Sequence, residues 1–129
     1  MTTKEVIEHY FMYANAGKWD DWCNLFAEDC VMDEQLAGKI EGRATLSAMM
    51  KGFPDAYAKF QNVPKEIFTE GNKGAAVTHI SALASKHLDQ PIEANVMNYF
   101  VVENGLIIYM ANYHDSKPFQ PFLNQLEGK

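Results

Sequence analysis

The chain has 129 residues, 47% of them hydrophobic, which is the size of one domain and too apolar for a disordered segment. Eleven basic residues against seventeen acidic ones leave a net charge of -6, so no nucleic-acid partner is expected, since that role needs clustered Lys and Arg on phosphates. No run of eighteen apolar residues occurs and the first residues read straight into an amphipathic segment, so no membrane association is expected and the cytoplasm is the expected compartment.

The first third is predicted to be helical. Thr2 and Glu5 have the spacing of a capping box, and Ile7, Tyr10, Phe11 and Ala14 recur at helical period before Gly17, which suits a left-handed C-cap. A second helix carries Asp20 and Asp21 in its first turn and Trp19, Trp22, Cys23 and Phe26 as its stripe. A short strand is predicted around Cys30 to Leu36. A third helix after Gly42 presents Leu46, Met49 and Met50, is interrupted at Pro54, and continues as a short helical piece with Tyr57 and Phe60.

From Pro64 the pattern becomes β. One hairpin is predicted across Gly71-Asn72-Lys73-Gly74, and a second joins Ile92–Glu103 to Leu106–His114 through Asn104-Gly105, where both central residues need positive φ. Pro118 opens a last helical turn carrying Phe122, Leu123 and Leu126. The class is therefore α+β, with helices covering one face of a curved, mostly antiparallel sheet.

In the last hairpin, alternation puts Leu106, Ile108, Met110, Asn112 and His114 on one face and Ile107, Tyr109, Ala111 and Tyr113 on the other. Neither face is polar. Two apolar faces call for a second cover, so a homodimer packed sheet to sheet is expected. The only cysteines, Cys23 and Cys30, are expected to be reduced. No Walker loop, dinucleotide fingerprint, zinc-protease motif or nucleophile elbow is present, and no short-spaced His or carboxylate set suggests a metal or cofactor.

Tyr10 with Asn15-Ala16-Gly17-Lys18-Trp19-Asp20, Leu25-Phe26-Ala27-Glu28-Asp29-Cys30-Val31, Glu41-Gly42-Arg43, Phe53-Pro54-Asp55, and Asn104-Gly105-Leu106-Ile107 through Tyr113-His114-Asp115 occur here in one order and spacing. On these the chain resembles the SnoaL-like branch of the nuclear transport factor two-like superfamily over nearly its whole length. The resemblance implies a single domain over 1–129, a cone-shaped barrel in which a strongly curved sheet wraps the N-terminal helices around a cavity. Laid on ketosteroid isomerase, it implies that Tyr10 is the oxyanion donor and Glu34 the proton-shuttling carboxylate. That family's third acid falls on Met97, with Asn98 beside it facing the wrong way. The polyketide cyclases imply an acid or base at Asp115. The Asp-Arg-Asp relay of limonene epoxide hydrolase has no counterpart, Arg43 being the only arginine.

The residues point the same way. His114 shares the expected inward face with Met110 and Asn112, and histidine is the residue type suited to general acid–base work. Asp115 reaches inward only if a bulge swings it there; otherwise it caps the turn at Ser116-Lys117-Pro118. Only one of Asp33 and Glu34 can face the cavity, Asp33 being the second choice. His79, in mid-sheet, with Asn95, Met97, Tyr99, Met110 and Asn112, is the expected substrate-binding lining. His9 and His87 are expected to face solvent. Two functions fit: a cofactor-free isomerase, cyclase or dehydratase acting on a hydrophobic oxygenated small molecule through Tyr10, Glu34, His114 and Asp115, or a non-catalytic ligand binder or dimeric scaffold. A partner-binding module, as in nuclear transport factor itself, is a third.

Overall fold

The computed structural model describes residues 1–120. The elements run α1 (Thr3–Ala16), α2 (Trp19–Cys23), β1 (Phe26–Glu34), β2 (Gly38–Glu41), α3 (Arg43–Met50), α4 (Phe53–Ala56), β3 (Tyr57–Glu70), β4 (Lys73–Ala84), β5 (Ile92–Glu103), β6 (Leu106–His114) and a closing 3₁₀ turn, Lys117–Phe119. The six strands form one curved, unclosed sheet in the order β2-β1-β6-β5-β4-β3, parallel where β1 meets β6 and antiparallel elsewhere.

Local signals set both ends of α1 as expected. Thr2 Oγ1 accepts from the Glu5 amide at 3.1 Å while Glu5 Oε1 accepts from the Thr2 amide at 3.0 Å, and Gly17 closes α1 at φ 71°. In the β5–β6 turn, Asn104 and Gly105 take φ 52° and 77°. Phe122, Leu123 and Leu126 lie outside the described residues.

Three boundaries differ from the sequence reading. The second helix stops at Cys23, and Phe26 already opens β1, which is longer than the strand expected at Cys30. Beyond Pro54, which sits in the first turn of α4, the chain is strand from Tyr57. The three-residue spacing of Tyr57 and Phe60 imitates a helix because a bulge at Ala58 puts both on the same face of β3. A bulge at Ile108 does the same for Ile107 and Met110, which both point into the core, so the strict alternation expected along β6 holds only from Tyr109 onward.

Helix α1 lies in the concave face of the sheet. Its approach needs Gly74: a Cβ there would stand 2.3 Å from Ile7 Cδ1 and 3.2 Å from the Phe68 carbonyl. The buried apolar residues then divide into two clusters. The larger joins α1 and α2 to β1, β5 and β6 through Phe11, Trp22, Phe26, Phe100 and Met110, and the smaller gathers Ala82, Ile92, Ala94 and Phe119 at the far end of the sheet. A filled interior would make these one; a hollow separates them. Cys23 and Cys30 are buried and free, and burial raises both thiols above the usual range.

Candidate functional site

The hollow is a cavity of about 920 Å³ between the helices and the concave sheet face, in the range that takes a small organic ligand. Its walls are mainly apolar: Ala14, Trp22, Met49, Phe60, Ile80 and Val96 come from six different elements. Four of the site residues expected from sequence line it, namely Tyr10, Glu34, Asn112 and His114.

Tyr10 is carried by the buried stripe of α1, with its ring edge-on to Phe100 at 5.1 Å and to Phe11 at 4.8 Å. Its hydroxyl faces the Met110 thioether at 4.0 Å, a weak acceptor that leaves the donor free to serve something better. Burial, and then the charge of Glu34, hold Tyr10 well above the usual tyrosine range, so the hydroxyl stays neutral and protonated near neutral pH.

Glu34 ends β1. Its Oε2 accepts from the amides of Leu36 at 2.8 Å and Ala37 at 2.5 Å, which fixes the carboxylate while it turns the chain into β2. Burial and the same Glu34 charge also raise Tyr57. One carboxylate thus adds to the effect of burial on two cavity phenols.

His114 ends β6. Its ring lies 5.0 Å from that of Phe119, and Nδ1 donates to the Asp115 carbonyl at 3.1 Å. A carbonyl can only accept, so Nδ1 is the donor of this contact, an arrangement that in the Nδ1–H tautomer leaves the lone pair on Nε2. The Gln35 carboxamide holds the backbone here: its Oε1 accepts from the His114 amide at 2.5 Å, and its Nε2 donates to the His114 carbonyl and to Ser116 Oγ.

The remaining expected site residues lie elsewhere. Asp115 does not swing inward; its Oδ1 accepts at 2.9 Å from the amide of Lys117, the first residue of the 3₁₀ turn. Asp33 is on the convex face, accepting from the Tyr109 hydroxyl at 2.5 Å. His79 and Asn95 share that face, with Nδ1 2.9 Å from Asn95 Oδ1, and His79 also pairs with Glu93 at 3.4 Å. Met97 is 47% exposed there, and Tyr99 packs edge-on to Tyr109 at 6.1 Å. Met110 is inward but wholly buried beneath Tyr10 rather than on the cavity wall.

The parity of β5 explains most of these misplacements. Its inward set is Ile92, Ala94, Val96, Asn98, Phe100 and Val102, so Asn98 faces in and Met97 faces out, the reverse of the expectation. The signal was available: Glu93 and Glu103 share the parity of Asn95, Met97 and Tyr99, and a strand's charged face is the solvated one. Sequence reasoning also missed Asn62 and Asn98 as polar lining, and His87, expected in solvent, lines the cavity too. Among the described residues no group of three or more His, Cys, Asp or Glu could hold a metal ion, and no helix is long and apolar enough to cross a membrane.

Solved structures share this architecture. A proposed polyketide cyclase from Pseudomonas putida superposes with a TM-score of 0.83 at 20% identity, over 92% of this chain and 96% of that one. An NTF2-like protein of unknown function from Burkholderia pseudomallei gives 0.83 at 12% identity, over 94% and 96%. An epoxide hydrolase of the limonene type from M. tuberculosis gives 0.80 at 14% identity, over 95% and 90%. At such identities the likeness is one of fold. No curated protein matches the chain in sequence. The SnoaL-like domain pattern matches residues 7–110, from the core stripe of α1 to the middle of β6, and the chain belongs to the SnoaL-like family.

Proposed function

We propose that the cavity binds a hydrophobic, oxygenated small molecule and transforms it by cofactor-free acid–base chemistry, in a cytoplasmic homodimer. The observation that carries this reading is that Tyr10, Glu34 and His114 line one apolar cavity. The Tyr10 hydroxyl, poorly served by a thioether, would donate to a substrate carbonyl oxygen as that oxygen gains charge. Glu34 Oε1, which the backbone leaves unused, or His114 Nε2 would take the proton from the neighbouring carbon and return it. Isomerisation, aldol cyclisation and dehydration all need these roles. Two structural neighbours described as a proposed polyketide cyclase and an epoxide hydrolase lend support at the level of a small-molecule enzyme built on this fold.

A specific feature favours the second reading, a non-catalytic binder. Asn98 occupies the place of a second oxyanion donor, yet its Nδ2 is already committed to the Ala76 carbonyl and to Thr78 Oγ1, both at 3.0 Å. A panel of apolar aromatic ketones and hydroxyketones, followed by thermal shift and by turnover, separates the two. Catalysis predicts that Glu34→Gln and His114→Ala lose roughly a hundredfold or more in rate and that Tyr10→Phe loses rate with binding retained. Turnover that survives all three substitutions overturns the acid–base assignment, and ligand-induced stabilisation with no turnover establishes the binder.

A further inference from the structure

The two inward asparagines of the central strands have fixed and opposite polarity. Asn98 on β5 and Asn112 on β6 are register partners, so their side chains stand next to each other on the concave face, with Cβ atoms about 5 Å apart. Both line the cavity, and Asn98 is only 1% exposed.

Which way each amide points follows from its partners. The Gln35 amide at 3.1 Å from the Asn112 side chain is a donor, so the Asn112 atom facing it is Oδ1 and the NH₂ group is left over. The Ala76 carbonyl at 3.0 Å from the Asn98 side chain is an acceptor, so the Asn98 atom facing it is Nδ2, which also serves Thr78 Oγ1, and Oδ1 is left over. No hydrogen bond joins the two side chains. The sheet wall of an otherwise greasy cavity therefore carries one donor beside one acceptor, neither of them hydrogen-bonded among the described residues.

Resting on the reading that the cavity binds an apolar small molecule, we propose that Asn112 Nδ2 and Asn98 Oδ1 together select ligands with a complementary edge, a carbonyl oxygen beside an N–H or O–H. A primary amide, a lactam and a neutral carboxylic acid share that edge. The carbonyl accepts from Asn112 and the adjacent hydrogen is donated to Asn98. A ligand that offers only acceptors places an oxygen against Asn98 Oδ1 and leaves both groups buried without a partner, which is the strongest form of discrimination such a wall can exert.

Three probes of one shape test this by calorimetric titration: 2-naphthamide, methyl 2-naphthoate and 2-ethylnaphthalene. Hydrophobicity alone ranks the amide last, because an unpaired amide is costly to bury. The donor–acceptor wall reverses that order, and the amide is expected to bind about tenfold tighter than the ester. Asn112→Leu keeps the bulk and removes the donor. It should weaken the amide and the ester by about tenfold and leave 2-ethylnaphthalene unchanged or tighter. Probes that bind in order of hydrophobicity, or an Asn112→Leu variant that weakens all three alike, overturn the selection by the two asparagines while the ligand-binding cavity stands. Failure of every probe to bind overturns the cavity reading and this inference with it.

Discussion

The side-chain amide of Asn15 pairs with the backbone of Asn62 as a neighbouring strand would: its Oδ1 accepts from the Asn62 amide at 2.7 Å and its Nδ2 donates to the Asn62 carbonyl at 2.9 Å. This fastens the end of α1 to the edge strand β3 at the cavity wall, next to Phe60 and Gln61. Gln35 treats the backbone of His114 in the same way across the cavity. Two carboxamides thus hold the frame on which cavity residues are mounted.

Asn15→Ala removes both bonds and leaves the part-buried Asn62 amide and carbonyl without partners. A loss of about 1–3 kcal/mol is expected, read as the midpoint shift in urea unfolding at constant slope. Asn15→Asp keeps the acceptor and sets an oxygen against the Asn62 carbonyl, so it should recover little of that loss. An alanine variant within about 0.5 kcal/mol of the parent would show that the pairing is incidental.

Gly74 is where α1 comes closest to the sheet. Gly74→Ala drives a methyl into Ile7 Cδ1 at 2.3 Å, and the Phe68 carbonyl behind it cannot retreat, so about 1–3 kcal/mol of overpacking is expected. Ile7→Val deletes the offending Cδ1. The double variant should therefore be more stable than the sum of the two single losses, a coupling that thermal or urea unfolding of the four proteins measures directly. Strict additivity would mean that the clash is relieved elsewhere.

The parts of the fold written in short local signals were legible. The Thr2 and Glu5 box, Gly17 and the Asn104-Gly105 turn each need one conformation, and each has it. Bulges are another matter. Tyr57 and Phe60, and Ile107 and Met110, share the three-residue spacing of a helix turn yet lie in strands, re-phased by one extra residue whose position no propensity marks. Tyr10 and Glu34 were reached through the resemblance to ketosteroid isomerase, and His114 through the alternation of β6, which holds at that end of the strand. Asn95, Met97 and Tyr99 were misplaced because both faces of β5 are rich in large apolar residues, and only the flanking glutamates betray which is wet; His79 on β4 shares the outer face as the register partner of Asn95.

That second apolar face carries its own consequence. Met97 at 47% and Tyr113 at 58% exposure are cross-strand partners, and Phe68 at 56% lies two ladders from them through Ala75 and Tyr99. A convex patch of this kind is the surface that a second copy would cover in the proposed homodimer. Met97→Glu puts charge at its centre without touching the core. Sedimentation equilibrium should give a dimer for the parent chain and a monomer of nearly unchanged thermal stability per subunit for the variant. A parent chain that sediments as a monomer at tens of micromolar would dispose of the dimer.

The Tyr109–Asp33 pair on the same face sets an alkaline limit to stability. Donation to Asp33, then burial, then the Asp33 charge raise the Tyr109 phenol from the usual 10 to about 12. A tyrosine whose folded pKa exceeds its unfolded one favours the native state below pH 10, where both forms are protonated, and loses that contribution as pH climbs from 10 to 12 and the unfolded chain ionises first. Urea unfolding of the parent between pH 8 and 12 should therefore show stability falling steadily above pH 10. Tyr109→Phe has no phenol to ionise: it should begin lower at pH 8, having lost the hydrogen bond, and fall less steeply above 10. Tyr10, raised further still by burial, stays protonated through the same window and leaves a shallower decline in the variant. Parallel curves for parent and variant would place the alkaline transition elsewhere in the molecule.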